Sequence, residues 1–169
     1  MKRKNNTYDV KMMDIKSAKK IITWKYDDPY EAYSFNGTEE EKLELLNGLN
    51  FAVYLKATGE LAGFCTMGPS AQAQNEGLDE IYDEEGYNDV AFGLKPELTD
   101  KGLGNIFVKE CCEFLRKFFP GDMLRLTVAS NNERALKVYR ANGFYELNRF
   151  ESPEINGAEL VVMVCGEYN

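Results

Sequence analysis

The sequence predicts an α/β fold: one mixed, twisted sheet of about seven strands flanked by about four helices, in the order β-α-α-β-β-β-α-β-α-β-β. Three observations predict it. Short runs of alternating or continuous apolar residues interleave with runs whose apolar residues recur every three or four positions. Helix caps and turn residues, among them Thr38, Asn132 and Gly143, stand at the joints. The 169 residues suit one domain, taken as 1–169, and 44% hydrophobic with 28% charged residues is ordinary for a soluble globular chain.

Residues 8–13 read as the opening strand, and Ser17 caps a brief helix over 18–23. Pro29 makes the aromatic stretch 24–35 irregular. Thr38 with Glu41 is a capping box for an acidic helix running to about Asn47. Strands 51–55 and 61–67 flank a turn containing Thr58-Gly59, a hairpin. An acidic loop follows, then strand 89–95, stopped by Pro96. Residues 102–118 form the longest helical pattern, with Leu103, Phe107, Cys111, Phe114 and Phe118 as its apolar stripe, ended by Pro120-Gly121. Leu124, Leu126 and Val128 alternate with Arg125 and Thr127 as a strand with one face more buried. A helix over 132–142 closes at Gly143. Strands 144–150 and 159–165 finish the chain around an Asn156-Gly157 turn.

Composition excludes several chemistries. With no histidine, triads and Cys–His nucleophiles that depend on it are ruled out, and any proton must move through carboxylates, Tyr, Lys, thiols or water. Cys65, Cys111, Cys112 and Cys165 form no C-x-x-C pair, so reduced thiols and no metal are expected. A formal charge of −8 speaks against nucleic acid. The basic start is followed by no apolar signal core, and no apolar run is long enough to span a membrane; a cytoplasmic protein is expected. Glu76, Asp79, Glu80, Asp83, Glu84, Glu85 and Asp89 run without an intervening Lys or Arg. That run is either a solvated surface loop or a field that concentrates a cationic substrate.

Two segments carry chemistry. In Thr99-Asp100-Lys101-Gly102-Leu103-Gly104 a glycine turn leads from a strand into the longest helix. Free N–H groups and the helix dipole make such a start an anion site, although G-x-G also serves packing or capping. It is not a P-loop, because Gly104 is followed by Asn105-Ile106; nor a dinucleotide fingerprint, because Phe107 stands where the third small residue belongs. About thirty residues on, Asn132, Ala135, Tyr139 and Gly143 line one side of a helix between Val128 and Phe144. Alone, that is also what a capped amphipathic helix with a packed tyrosine looks like.

In this order and spacing the two segments resemble the GNAT superfamily of acyl-CoA-dependent N-acyltransferases, with its Q/R-x-x-G-x-G/A and V-x-x-x-N-x-x-A-x-x-x-Y-x-x-x-G-F patterns. The second pattern is complete; in the first, Thr99 replaces Gln or Arg and Asp100 adds a negative charge. The run from Gly93 to Gly104 is similar to a bacterial subgroup reading G-L-x-P-x-L-T-G-K-G-L-G.

The resemblance implies a single GNAT-like domain that moves an acetyl group from acetyl-CoA to a primary amine of a small molecule or peptide. It implies that Thr99, Lys101, Gly102, Leu103 and Gly104 take the coenzyme phosphates. Backbone groups of Phe92, Gly93 and Leu94 would take the pantetheine arm, with Gly93 at a bulge, and Asn132 would contact that arm while capping its helix. Tyr139 would protonate the departing thiolate. Asp89 is the residue expected as general base, with a water relay as the alternative, and Glu80 and Glu84 as weaker candidates. The acceptor would meet Trp24, Tyr30, Glu80 and Glu84, unless the aromatics are simply core. The other reading of the same fold is a non-catalytic acetyl-CoA sensor; on either reading a monomer or homodimer is expected.

Overall fold

The computed structural model describes residues 6–73, 76–151 and 158–166. The strands are β1 (Tyr8–Met12), β2 (Asn50–Leu55), β3 (Leu61–Met67), β4 (Tyr87–Leu94), β5 (Met123–Ala129), β6 (Tyr145–Glu151) and β7 (Glu159–Cys165). The α-helices are α1 (Ile15–Ile21), α2 (Glu39–Leu45), α3 (Asp79–Tyr82), α4 (Gly104–Leu115) and α5 (Glu133–Ala141). Strand order is β1-β2-β3-β4-β5-β7-β6, with β4 and β5 parallel and the β1–β2, β2–β3, β5–β7 and β6–β7 pairs antiparallel. The fold class is the expected one. What the expected order lacked is α3, a single turn inside the acidic stretch. The Asn156-Gly157 turn lies outside the described residues.

The chain packs as two compact units, Met1–Thr66 with Phe92–Cys111, and Met67–Ala91 with Cys112–Asn169. In the first, α1 is capped by Asp14 and not by Ser17: the Asp14 carboxylate accepts from the Ser17 N–H at 2.7 Å. Ser17 is itself inside the helix and buried against Tyr54, hydroxyl to hydroxyl at 2.5 Å. Thr38 does cap α2, accepting from Glu41 N–H at 3.1 Å. Ala18, Ile21, Trp24, Leu45, Ala52 and Leu61 form the core between these helices and the strands, with Phe35 and Phe64 packed on it.

Gly63 and Gly93 are small for a steric reason. A Cβ on Gly63 would strike the Gly93 carbonyl and the Phe107 ring, and one on Gly93 would strike the ring of Phe64. That overlying ring by itself requires a residue without a Cβ at 93.

In the second unit β5 and β7 pair over six registered positions and bury Val161, Val162 and Met163 completely. Leu78 and Ile81, the apolar residues beside and within α3, join Leu160 and Val162 in a small core of their own. The α4 stripe is right at its centre, where Phe107 and Cys111 are buried, and ends early: Phe118 lies beyond the helix and is 44% exposed. Four free cysteines are all buried. Among the described residues no helix is long and apolar enough to cross a membrane.

Candidate active site

The loop from β4 to α4 is built by short-range bonds. Lys95 N–H donates to the Ala62 carbonyl at 2.7 Å, Leu98 N–H closes a turn onto Lys95, and the Thr99 hydroxyl donates back to the Pro96 carbonyl at 2.6 Å. Thr99 therefore fastens the loop. Asp100 (φ 59°) and Gly102 (φ 73°) are both left-handed, a conformation that costs an ordinary residue about 1–2 kcal/mol. Nothing lies within 4 Å of where a Gly102 Cβ would be, so the glycine serves backbone conformation and leaves its own surface open.

The Leu103 carbonyl receives the first helical bond, from Phe107. The start of a twelve-residue helix thus follows at once on two left-handed residues, with Lys101 exposed beside it. Such a start offers N–H donors without intrahelical partners and the positive end of the dipole. That arrangement can hold an anion.

Upstream, the Leu94 carbonyl already accepts from Tyr26 Oη at 2.7 Å. Of the backbone expected to bond a pantetheine arm, that one oxygen is therefore engaged. Tyr26 was missed by sequence reading, which grouped it with an aromatic stretch. Within that stretch Trp24 is 7% exposed and packs its indole 6.2 Å from the Phe64 ring, a core residue with almost no surface to offer an acceptor. Tyr30 is half-buried in the turn where its N–H bonds to Asp27.

In the other unit, α5 explains its motif almost wholly by helix termination. Asn132 accepts from Ala135 N–H at 3.1 Å and starts the helix. At the far end Phe144 N–H bonds to the Tyr139 carbonyl at 3.0 Å and Gly143 N–H to Arg140 at 3.1 Å, with Gly143 at φ 85°. This is the two-bond closure that requires a left-handed residue, and its accompanying apolar contact is Tyr139 ring against Phe144 ring at 5.9 Å. The half-buried Tyr139 ring is thereby fixed at the last turn.

Asp89 is not placed as the free base expected of it. The β4–β5 ladder has three registered pairs, and the last sets Asp89 opposite Arg125. Oδ1 accepts from Arg125 Nε at 2.6 Å; Oδ2 accepts from Arg125 Nη2 at 2.9 Å and from Gln72 Nε2 at 2.9 Å. Asp89 is 7% and Arg125 1% exposed. Three of the roughly four lone-pair sites of this buried carboxylate are thus taken by donors.

Arg125 also donates through Nη1 to the Ile81 carbonyl at 2.5 Å and through Nη2 to the Tyr82 carbonyl at 3.4 Å. Its guanidinium lies 4.7 Å from the Tyr87 ring and 5.3 Å from that of Tyr82. The Tyr82 hydroxyl accepts from Ala73 N–H at 2.9 Å and shares a 2.8 Å bond with Thr127. Burial, above all, pushes its pKa up, so it remains a neutral phenol. Around this knot Asp79, Glu80, Asp83, Glu84 and Glu85 are all exposed. Sequence reading took Arg125 for the outward position of an alternating strand. Only the Asp89–Arg125 register, a non-local fact, reveals it.

Comparison with known proteins supports the same assignment. A sequence model of the acetyltransferase (GNAT) family matches residues 15–144. The comparison with curated proteins finds none that matches. Among solved structures, the chain is similar to a GNAT-family acetyltransferase from Bacillus anthracis, at TM-score 0.70 and 14% identity over 95% of both chains. It is also similar to a variant of spermidine N-acetyltransferase from Vibrio cholerae, at TM-score 0.68 and 14% identity over 95% of this chain and 94% of that one. A third is a ribosomal-protein-S5-alanine acetyltransferase from Vibrio fischeri, at TM-score 0.62 and 17% identity over 97% of this chain and 95% of that one. At these identities the structures speak for the fold. The matched family, spanning both the glycine turn and the α5 motif, identifies the chain as a member of the acetyltransferase (GNAT) family.

Proposed function

We propose that residues 1–169 act as one N-acetyltransferase domain, passing an acetyl group from acetyl-CoA to a primary amine by direct attack within a ternary complex. The observation that carries this reading is the loop into α4, where left-handed Asp100 and Gly102 deliver the chain to the start of a twelve-residue helix, the positive end of its dipole. The coenzyme's pyrophosphate is an anion suited to that start, with Gly102, Leu103 and Gly104 supplying backbone and Lys101 charge. Phe92, Gly93 and Leu94 would flank the pantetheine arm, with Asn132 near it. The coenzyme supplies the activated thioester; the chain supplies position and protons.

The amine attacks only when neutral, and a free alkylamine has a pKa of about 10.4. We assign its proton to water, because Asp89 has both oxygens engaged. We assign Tyr139 as the acid for the leaving thiolate: a free phenol has a pKa of about 10 and a free thiol one of about 8.5, close enough for a positioned donor to pass its proton. The acceptor is a small molecule or peptide amine, and the exposed carboxylates Glu80 and Glu84 would draw its cationic form, with Tyr30 as an apolar contact. The four buried cysteines, none of them in a disulfide, are consistent with a cytosolic setting.

A panel of amines incubated with acetyl-CoA and followed by free-thiol detection tests the reaction. Isothermal calorimetry tests the coenzyme site. Gly102→Val should weaken acetyl-CoA binding at least tenfold, about 1.4 kcal/mol, since a β-branched side chain neither adopts this φ nor leaves the helix start open. Unchanged affinity in a folded variant would remove the phosphate-loop assignment. One observation favours a second reading, a coenzyme sensor: the Tyr139 ring is already employed in closing α5. Binding without thiol release across the panel would select it.

A further inference from the structure

We infer that Arg125 is a positioning residue for the acceptor, a buried pin that fixes the segment between β3 and β4. Its guanidinium makes four hydrogen bonds, two to Asp89 and one each to the carbonyls of Ile81 and Tyr82. The first two hold the pin in the sheet. The last two hold the end of α3, adding to the Ile81 carbonyl's bond from Glu84 N–H at 3.2 Å and reaching the carbonyl of Tyr82. Gln72 brings the beginning of the same segment onto Asp89, and Tyr82 ties it again, to Ala73 and to Thr127. Both halves of the segment thus end on one buried ion pair.

Stability alone is a poor reason for that pair. Two charges lose their hydration when buried, and an apolar pair of similar volume in the same place is commonly as stable or more so. The Arg125 guanidinium already lies against the Tyr87 and Tyr82 rings, apolar surface that such a pair could meet. What an apolar pair could not do is reach the two carbonyls and set the turn that presents Asp79, Glu80, Asp83 and Glu84 to solvent. A four-residue helix has no such stability of its own. This inference rests on the acetyltransferase reading, in which the carboxylates of that turn receive the amine.

Two variants test it. Arg125→Lys keeps the charge and loses the fork that serves Asp89 and the carbonyls together. The double variant Asp89→Val with Arg125→Met comes close to keeping volume and loses the pin. In both, the KM for the amine should rise at least tenfold, while the acetyl-CoA Kd stays within about twofold and kcat at saturating amine within about threefold. The double variant should melt no lower than a few degrees below wild type, and backbone amides of 79–84 should exchange faster in both.

A folded variant with wild-type amine KM overturns the assignment. So does failure of both to fold, which would make the pair purely structural. A collapse of kcat confined to the double variant, at unchanged KM, would overturn it in favour of Asp89 as the base. If wild-type protein acetylates no amine of the panel, the parent reading falls with it; if it turns over and only the variant KM is indifferent, the pin alone falls.

Discussion

Tyr139 carries two duties that a single substitution can separate. Its ring stacks on Phe144 at the last turn of α5, and its hydroxyl is the proposed acid. Tyr139→Phe retains the first and deletes the second. Acetyl-CoA affinity and melting temperature should therefore stay close to wild type, while kcat falls on the order of 10²-fold, as for other positioned acids. A single-turnover measurement is the decisive one, because slow amine addition would mask the loss in steady state. Full single-turnover activity would take Tyr139 out of the reaction and leave it a packing residue. Thr99 shows the same division: it occupies a family position for phosphate contact, yet its hydroxyl proton goes to Pro96.

Elements whose signals are local were legible in the sequence, and those settled by distant partners were not. The α5 helix is bounded by Asn132 and Gly143, each acting within three or four residues of itself, and the reading over 132–142 holds. At α1 the sequence reading took Ser17 for the cap, and the true one is Asp14, because its carboxylate takes the Ser17 N–H. The α3 turn has only Leu78 and Ile81 as buried apolar anchors among its acids, too few for a periodicity, and its last two carbonyls also take bonds from Arg125 on another strand.

The Asp14 cap also makes a pH prediction. Its carboxyl lies below the usual value, first because of the Ser17 backbone N–H, then despite a small opposing effect of burial. A depressed carboxyl stabilises the fold above its unfolded pKa, here near 3.8, and that contribution is lost as pH falls through the folded value. Asp14→Ala should therefore cost about 1 kcal/mol at neutral pH, with the gap to wild type narrowing below about pH 3.8. Urea unfolding of both proteins at neutral and acid pH measures it; a gap independent of pH would deny the cap its charge.

At the scale of the molecule, a formal charge of −8 and an exposed acidic turn would, on the proposed function, steer a cationic amine. Replacing Glu80, Asp83, Glu84 and Glu85 by their amides should raise the amine KM several-fold. Salt should reproduce part of that rise in the wild type, since at roughly 0.15 M the screening length is only about 8 Å. A KM indifferent to both would return the turn to ordinary solvated surface.

The closure of α5 has a further consequence, for descent. Gly143 and Phe144 end the helix whether or not residue 139 bears a hydroxyl, because the bonds run to its carbonyl and the contact to its ring. Tyrosine and phenylalanine codons differ at one base. A catalyst built on this motif therefore stands a single point mutation from a folded, coenzyme-binding receptor. The family pattern around residue 139 records how the helix ends, and a lineage can lose the reaction while keeping every other mark of its ancestry.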